Sequence, residues 1–164
     1  MSIKSDTATG PRAVVVRHND GLSVRWGPAG VIRILAGADS TDGSFSVVEA
    51  TEEPGSAAPL HIHHAEAEGF YVLQGEIELT CDEETLTAGA GDFVYTPRGV
   101  PHKYVVVGHQ PARVLLLFSR PGFESFFAEG GTPVDQPPAG PPDPEEFQRL
   151  VRKYDMELLE TPAH

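Results

Sequence analysis

Short apolar runs separated by turn residues constrain the fold of this chain more than any other feature. Gly, Pro, Asp and Asn stand between the runs from residue 12 to residue 120. Strands of this length, regularly broken by turn signals, are typical of an all-β sandwich or barrel. In residues 76–80 charged and apolar side chains alternate, which predicts a sheet with one wet face. The predicted strands are residues 13–16, 31–35, 45–48, 69–73, 76–80, 104–107 and 113–118.

The C-terminal part of the chain has a different pattern. A short helix is predicted at residues 123–129, and the Pro-rich residues 133–144 predict an extended linker. A second helix is predicted to begin at Pro144, because Asp143 can cap it. Helical periodicity predicts one apolar stripe: Phe147, Leu150, Val151, Tyr154 and Leu158. The predicted organisation is a flexible arm at residues 1–11, one barrel domain at 12–120 and a C-terminal extension at 121–164.

Composition excludes several classes of partner. The formal net charge of -12 repels phosphate backbones and anionic lipid, so neither nucleic acid nor a membrane surface is expected as a partner. The single cysteine, Cys81, cannot form an internal disulfide. The polar start lacks the apolar segment of a secretory signal, and no apolar run approaches the ~18 residues of a membrane span. These features predict a cytoplasmic protein.

Histidines provide the candidate functional site. In a strand, residues two apart point to the same face, so His61 and His63 project together while His64 points away, towards the surface. A turn can bring Glu68 back beside them. His102 follows a stretch rich in proline and glycine that can aim its side chain into a barrel. We therefore predict that His61, His63, Glu68 and His102 bind one metal ion.

Three neutral imidazoles and one carboxylate suit a divalent transition ion, namely iron, manganese, nickel, cobalt, copper or zinc. Four protein ligands on an octahedral ion leave two positions open, as a reactive site requires. Phe70 and Val72 share the strand parity of Glu68, and Tyr104 shares that of His102, so all three should face the barrel interior. They are interpreted either as ordinary core or as an apolar wall of a substrate pocket.

The spacing of the candidate ligands resembles that of a known family. Residues 55–75 read G-x5-H-x-H-x4-E-x6-G, and residues 91–102 read G-x5-P-x-G-x2-H. These strings resemble the two motifs of the cupin superfamily, with every glycine, the proline and all four ligands in place. The terminal Asn of the second motif is replaced by Val106, a position that does not bind metal. The resemblance covers about residues 45–118 and implies a double-stranded β-helix, a small jelly-roll barrel with the metal inside.

A narrower resemblance implies an activity. The run from His61 to Leu73 and the segment Pro-Gly-Phe-Glu-Ser-Phe-Phe at residues 121–127, followed by a helix, resemble bacterial quercetin 2,3-dioxygenase-like single-domain cupins. That likeness implies a metal-dependent dioxygenase that acts on a flavonol-like or other enolisable aromatic molecule. In this interpretation the metal acts as a Lewis acid, and Glu68 is both a ligand and the general base.

Two alternatives stay open at this point. The same site can serve a redox-neutral isomerase, lyase or cyclase that enolises its substrate without oxygen. It can also serve a binding protein that holds a small molecule without turning it over. A ligand-reading transcription regulator is disfavoured by the acidic charge and by the lack of a helix-turn-helix pattern in residues 1–30. The family resemblance further implies a homodimer, with the predicted strand around Val14 at its interface.

Overall fold

The structure, a computed structural model, describes residues 13–160, so the arm predicted at residues 1–11 lies outside the described residues. Strands dominate the described part, and two helices lie towards its C-terminal end. The elements in chain order are β1 Ser23–Trp26, β2 Gly30–Ala36, β3 Ser46–Glu52, β4 Ala57–His63, β5 Glu68–Gln74, β6 Glu76–Cys81, β7 Glu84–Gly89, β8 Phe93–Thr96, β9 His102–Val107, β10 Ala112–Phe118, α1 Glu124–Gly130, β11 Thr132–Pro133, α2 Pro144–Lys153 and β12 Met156–Leu158.

Two antiparallel sheets form the barrel. One sheet has the order β11-β1-β2-β3-β10-β5-β8, and the other has the order β12-β4-β9-β6-β7. Along β3 and β10 every second side chain is buried, as expected for strands with one face on the core. The inward side chains of both sheets meet in one hydrophobic core, whose most buried members include Val48, Phe70, Val72, Ile77, Leu79, Val106 and Val114. The predicted all-β jelly-roll fold with a C-terminal helical extension is confirmed.

The predicted strand at residues 13–16 is wrong. This segment has no strand partner, and Val14 and Val15 are 53% and 70% exposed. The reason lies at the edge of the sheet, where β11 pairs with β1 and occupies the place beside it. The homodimer, for which this segment was the expected interface, stays a prediction.

The capping signal of the second helix is confirmed, but its predicted length is wrong. Asp143 accepts hydrogen bonds from the backbone N–H groups of Glu145 and Glu146, each at 3.0 Å. The helix ends at Lys153, because Asp155 adopts a positive φ of 51° that turns the chain out of the helix. Leu158, predicted as the end of the helical stripe, therefore lies in β12. Neither helix of residues 13–160 has the length and apolar character needed to cross a membrane.

An aromatic cluster packs both helices onto one end of the barrel. The Trp26 ring lies 5.0 Å from Phe126 and 5.1 Å from Phe127 of α1, and 6.5 Å from Phe147 of α2. Phe123, just before α1, lies 4.5 Å from the ring of His63, between ring centroids. The C-terminal extension thus covers the end of the barrel at which the candidate ligands are found.

We expect Asp143→Ala to lower the free energy of unfolding by about 1 kcal/mol, because two N–H groups of α2 lose their acceptor. Urea denaturation of the full chain measures this effect. Asp143→Ser keeps an acceptor at the same position and should stay close to the wild-type value. Equal stabilities of the alanine variant and the wild type would contradict this account of the cap.

Candidate metal centre

Three strands bring the four predicted ligands together. His61 and His63 lie on the inward face of β4, Glu68 opens β5 and His102 opens β9. The register of the second sheet places His61 directly opposite His102. One ligand atom from each of the four residues lies within 4.8 Å of the others, and all four residues are buried. We call this group the four-ligand site.

The candidate ligand atoms of the four residues lie close to one another. His61 Nε2 lies 3.2 Å from His63 Nε2, and Glu68 Oε2 lies 3.2 Å from His63 Nε2 and 3.1 Å from His102 Nε2. Adjacent ligands on an ion with bonds of about 2.1 Å are about 3.0–3.4 Å apart, depending on the coordination geometry. The spacing in the site therefore matches that of ligands around one divalent ion.

The imidazole rings of the three histidines are oriented by contacts of their Nδ1 atoms. His61 Nδ1 contacts the Pro59 carbonyl at 2.7 Å, and His102 Nδ1 contacts the Val100 carbonyl at 3.0 Å. A carbonyl can only accept, so Nδ1 carries the proton in both rings and Nε2 is left with its lone pair. His63 Nδ1 contacts Glu66 Oε1 at 2.8 Å in the same way. All three rings therefore turn Nε2 towards a common centre, which is the tautomer that binds a metal.

The contact between His61 and His63 gives a chemical test of fit. With Nδ1 protonated in both rings, two lone pairs face each other across 3.2 Å in a buried site. That arrangement is repulsive unless a positive charge, either a proton or a metal ion, lies between them. Soft-to-borderline nitrogen donors with one carboxylate prefer a divalent transition ion. The residues therefore fit such an ion.

Charges within the site separate its pKa values. Burial, assisted by the charges of His102 and His63, lowers the pKa of His61 to about 4. Burial opposes the charged form of His63, but hydrogen bonds to Glu66 and Glu68 and the charges of both carboxylates outweigh it and raise its pKa to about 9. Burial would likewise raise the pKa of Glu68, yet the contacts of its carboxylate with His102 and His63 lower it to about 2. At neutral pH the metal-free site thus holds a proton on His63 beside an ionised Glu68.

Two buried carboxylates near the site were missed in the sequence. Glu66 is 5% exposed and orients His63 through the contact just described. Glu52 ends β3 and accepts a hydrogen bond of 2.7 Å from the Tyr104 hydroxyl. Burial raises the pKa of Glu52, and burial with the charge of Glu52 raises the pKa of Tyr104 well above its usual value. The signal for Glu52 was its inward parity with Val48 in β3.

The predicted pocket residues all face inward. Phe70 and Val72 are fully buried and Tyr104 is 8% exposed, so the parity argument is right about their direction. The Phe70 ring lies 6.3 Å from His102 and 5.7 Å from Tyr104, between ring centroids. Their role as a substrate wall stays a prediction. His64 points outward, as expected, and its Nε2 lies 2.9 Å from a carboxylate oxygen of Glu157.

Comparison with known proteins agrees with this geometry. Residues 48–118 match the family model described as a cupin domain. The chain is 32% identical over 105 residues to a quercetin 2,3-dioxygenase of Bacillus subtilis, a match that covers 64% of this chain and 31% of that protein. It is 30% identical over 118 residues to the alginate biosynthesis protein AlgA of Pseudomonas fluorescens, covering 70% of this chain and 24% of that protein. The chain thus spans less than a third of the length of either relative.

Solved structures show the same fold at lower identity. KdgF from a Halomonas species superimposes with a TM-score of 0.62 at 19% identity, covering 70% of this chain and 99% of that one. A predicted oxalate decarboxylase from Thermotoga maritima gives a TM-score of 0.61 at 22% identity, covering 65% and 99%. At these identities the likeness supports the jelly-roll fold alone.

Metal binding should release about one proton at neutral pH. His63 carries a second proton, on Nε2, up to about pH 9 and must lose it to bind a metal. His61 is already neutral above about pH 4. The affinity for a divalent ion should therefore rise about tenfold per pH unit between about pH 4 and pH 9 and level off above pH 9. Calorimetric titration in buffers of different ionisation enthalpy counts the protons. An affinity that does not change from pH 6 to pH 8 would contradict the protonation assigned to His63.

Glu66→Ala should weaken metal affinity about 10- to 100-fold, because His63 loses the acceptor that orients its ring. His64→Ala is the matched control, since the His64 side chain is 51% exposed and points away from the site. Metal titration of the two variants and the wild type makes the comparison. Equal affinities in all three proteins would show that Glu66 does not orient His63.

Proposed function

We propose that this chain, which carries a cupin domain at residues 48–118, is a metal-dependent dioxygenase that acts on a flavonol-like or other enolisable aromatic small molecule. The observation that carries the proposal is the convergence of three Nε2 lone pairs and one carboxylate in a buried site. Four protein ligands leave open positions on a six-coordinate ion, and an open position is what a catalytic site requires. The likeness to a quercetin 2,3-dioxygenase supports the choice of reaction.

Glu68 has the features expected of a ligand that also moves a proton. Its Oε2 faces His63 and His102, while no hydrogen bond within residues 13–160 uses Oε1. The Glu68 side chain is 6% exposed, so only a small part of it is in contact with solvent. The contacts with His102 and His63 that lower its pKa keep the carboxylate ionised at neutral pH. Glu68 can therefore accept the hydroxyl proton of a substrate through Oε1.

The bound ion would stabilise charge on the substrate, and the barrel wall would exclude water. When bound, a divalent ion supplies Lewis acidity that stabilises the negative charge left on the substrate oxygen. Phe70 and Phe118 lie against His102 and His63 and limit the access of water to the ligands. Exclusion of water strengthens the charge interactions within the site and protects an electron-rich ring until oxygen reaches it.

A redox-neutral enolisation is the second candidate. The likeness to AlgA, a protein of alginate biosynthesis, favours a carbohydrate-like substrate over an aromatic one. An isomerase, lyase or cyclase would use Glu68 for the same proton transfer and would not consume oxygen. A protein that only binds its ligand would use the same ion without proton transfer. The two enzymatic candidates therefore differ in their need for oxygen, and both differ from a binder in forming product.

The test is elemental analysis of the purified protein followed by oxygen-electrode assays with quercetin and related enols. We expect a stoichiometric divalent metal, oxygen uptake, and a loss of at least about 100-fold in kcat for Glu68→Ala. Glu68→Gln keeps a ligand oxygen and should retain more metal than the alanine variant. His64→Ala is the control and should keep the wild-type rate.

Each other outcome points to a different conclusion. Turnover of a keto or hydroxy substrate without oxygen would favour the redox-neutral candidate. Tight binding of a small molecule to the metal-loaded protein with no product after hours would favour a binder. Wild-type turnover by Glu68→Ala would show that Glu68 is not the base.

A further inference from the structure

Strand β4, which carries the ligands His61 and His63, is irregular just before His61. β4 pairs with β9 at Ala57 and Ala58, then shifts register, and pairing resumes at His61. Pro59 lies within the shift and has no N–H group to give to a neighbouring strand. An extra residue of this kind forms a β-bulge, and the backbone groups at a bulge need partners from elsewhere. The β4 bulge, Pro59–Leu60, is therefore a weak point in the sheet beside the site.

The same bulge sets the direction of a ligand. The Pro59 carbonyl contacts His61 Nδ1 at 2.7 Å and so directs His61 Nε2 towards the centre of the site. A small rotation of the bulge would move this carbonyl and release the His61 ring. The position of His61 Nε2 thus depends on the contacts that fix Leu60.

Leu60 is held by the end of the described chain. Its N–H donates to Glu160 Oε2 at 3.2 Å, and its carbonyl accepts from the N–H groups of Leu159 at 2.8 Å and Glu160 at 3.3 Å. β12 continues this pairing along β4, with Leu158 opposite His61 and Met156 opposite His63. We call residues 155–160 the C-terminal strap.

The strap also connects the two histidine-bearing strands to each other. The Glu160 carboxylate accepts from Leu60 of β4 through Oε2 and from Lys103 Nζ of β9 through Oε1, the latter at 3.0 Å. Leu60 directly precedes His61, and Lys103 directly follows His102. One side chain therefore bridges the backbone beside His61 and the residue beside His102.

The start of the strap is fixed to the rest of the extension. Tyr154, directly before it, donates a hydrogen bond of 2.9 Å to Glu129, and its ring lies 6.3 Å from Phe123. Phe123 in turn packs on His63. The residues that match the cupin domain end at 118, so the strap is an addition that lies outside the matched part.

We propose that the C-terminal strap positions the metal centre: Leu159 and Glu160 hold the β4 bulge so that His61 presents Nε2 to the ion. Without this support the other three ligands still form a site, but His61 leaves it. The proposal rests on the proposed function only in that the four-ligand site binds a divalent ion. It requires no particular substrate or reaction.

Leu159→Pro in the full-length chain removes the N–H that donates to Leu60. Leu159→Ala is the matched control, because it keeps the N–H and the Leu159 side chain is 45% exposed. We expect Leu159→Pro to bind Co²⁺ at least about tenfold more weakly than the wild type, as is typical when the group that orients a ligand is lost. Its visible Co²⁺ spectrum should change as one imidazole is lost, while Leu159→Ala keeps the wild-type affinity and spectrum.

Glu160 provides a second test that does not require proline to be tolerated. Glu160→Ala removes the bridge and should weaken Co²⁺ binding with the same spectral change. Glu160→Gln keeps an oxygen for the Leu60 N–H and should restore most of the affinity. This recovery separates support of the bulge from a general charge effect of Glu160.

The outcomes distinguish the two proposals. If the wild type does not bind Co²⁺, the metal-dependent function fails and the role of the strap fails with it. If the wild type binds Co²⁺, and Glu160→Ala and a folded Leu159→Pro bind it with unchanged affinity and spectrum, the strap proposal alone is overturned. If Leu159→Pro does not fold, the comparison of Glu160→Ala with Glu160→Gln decides the question.

Discussion

The structure depends on one electrostatic constraint: three imidazoles direct their Nε2 atoms at a single buried point. Two of these nitrogens are 3.2 Å apart, a separation that a buried pair of lone pairs tolerates only with positive charge between them. The backbone carbonyls of Pro59 and Val100 and the carboxylate of Glu66 hold the rings in this orientation. The local geometry is thus arranged for a cation, and the barrel provides the strands on which that arrangement can be built.

Much of the site could be predicted because its information is local. Period-two alternation placed His61 and His63 on one face and His64 on the other, and strand parity gave the inward direction of Phe70 and Tyr104. The spacing of glycines and ligands indicated the jelly roll. Glu66 was missed, since nothing in its immediate sequence separates a buried carboxylate from the many exposed ones. Glu52 was missed although it shares the inward parity of Val48 in β3.

What the sequence did not reveal depends on contacts between distant segments. Residues 13–16 have the composition of a strand, but β11, more than a hundred residues later, takes the place beside β1. Leu158 fits a helical stripe by spacing, yet the left-handed turn at Asp155 and the open edge of β4 draw it into a sheet. Such strand pairings depend on which sheet edges remain free after the core has formed. Local periodicity in the sequence does not indicate which edges these are. The contact between the end of the described chain and the β4 bulge belongs to the same class.

The central claim is that His61, His63, Glu68 and His102 bind one divalent ion together. X-ray absorption spectroscopy of the protein loaded with one equivalent of Ni²⁺ tests it most directly. The account predicts a shell of nitrogen and oxygen ligands at about 2.1 Å with the outer scattering of three imidazole rings. A spectrum with water oxygens only, or with fewer than two imidazoles, would contradict it.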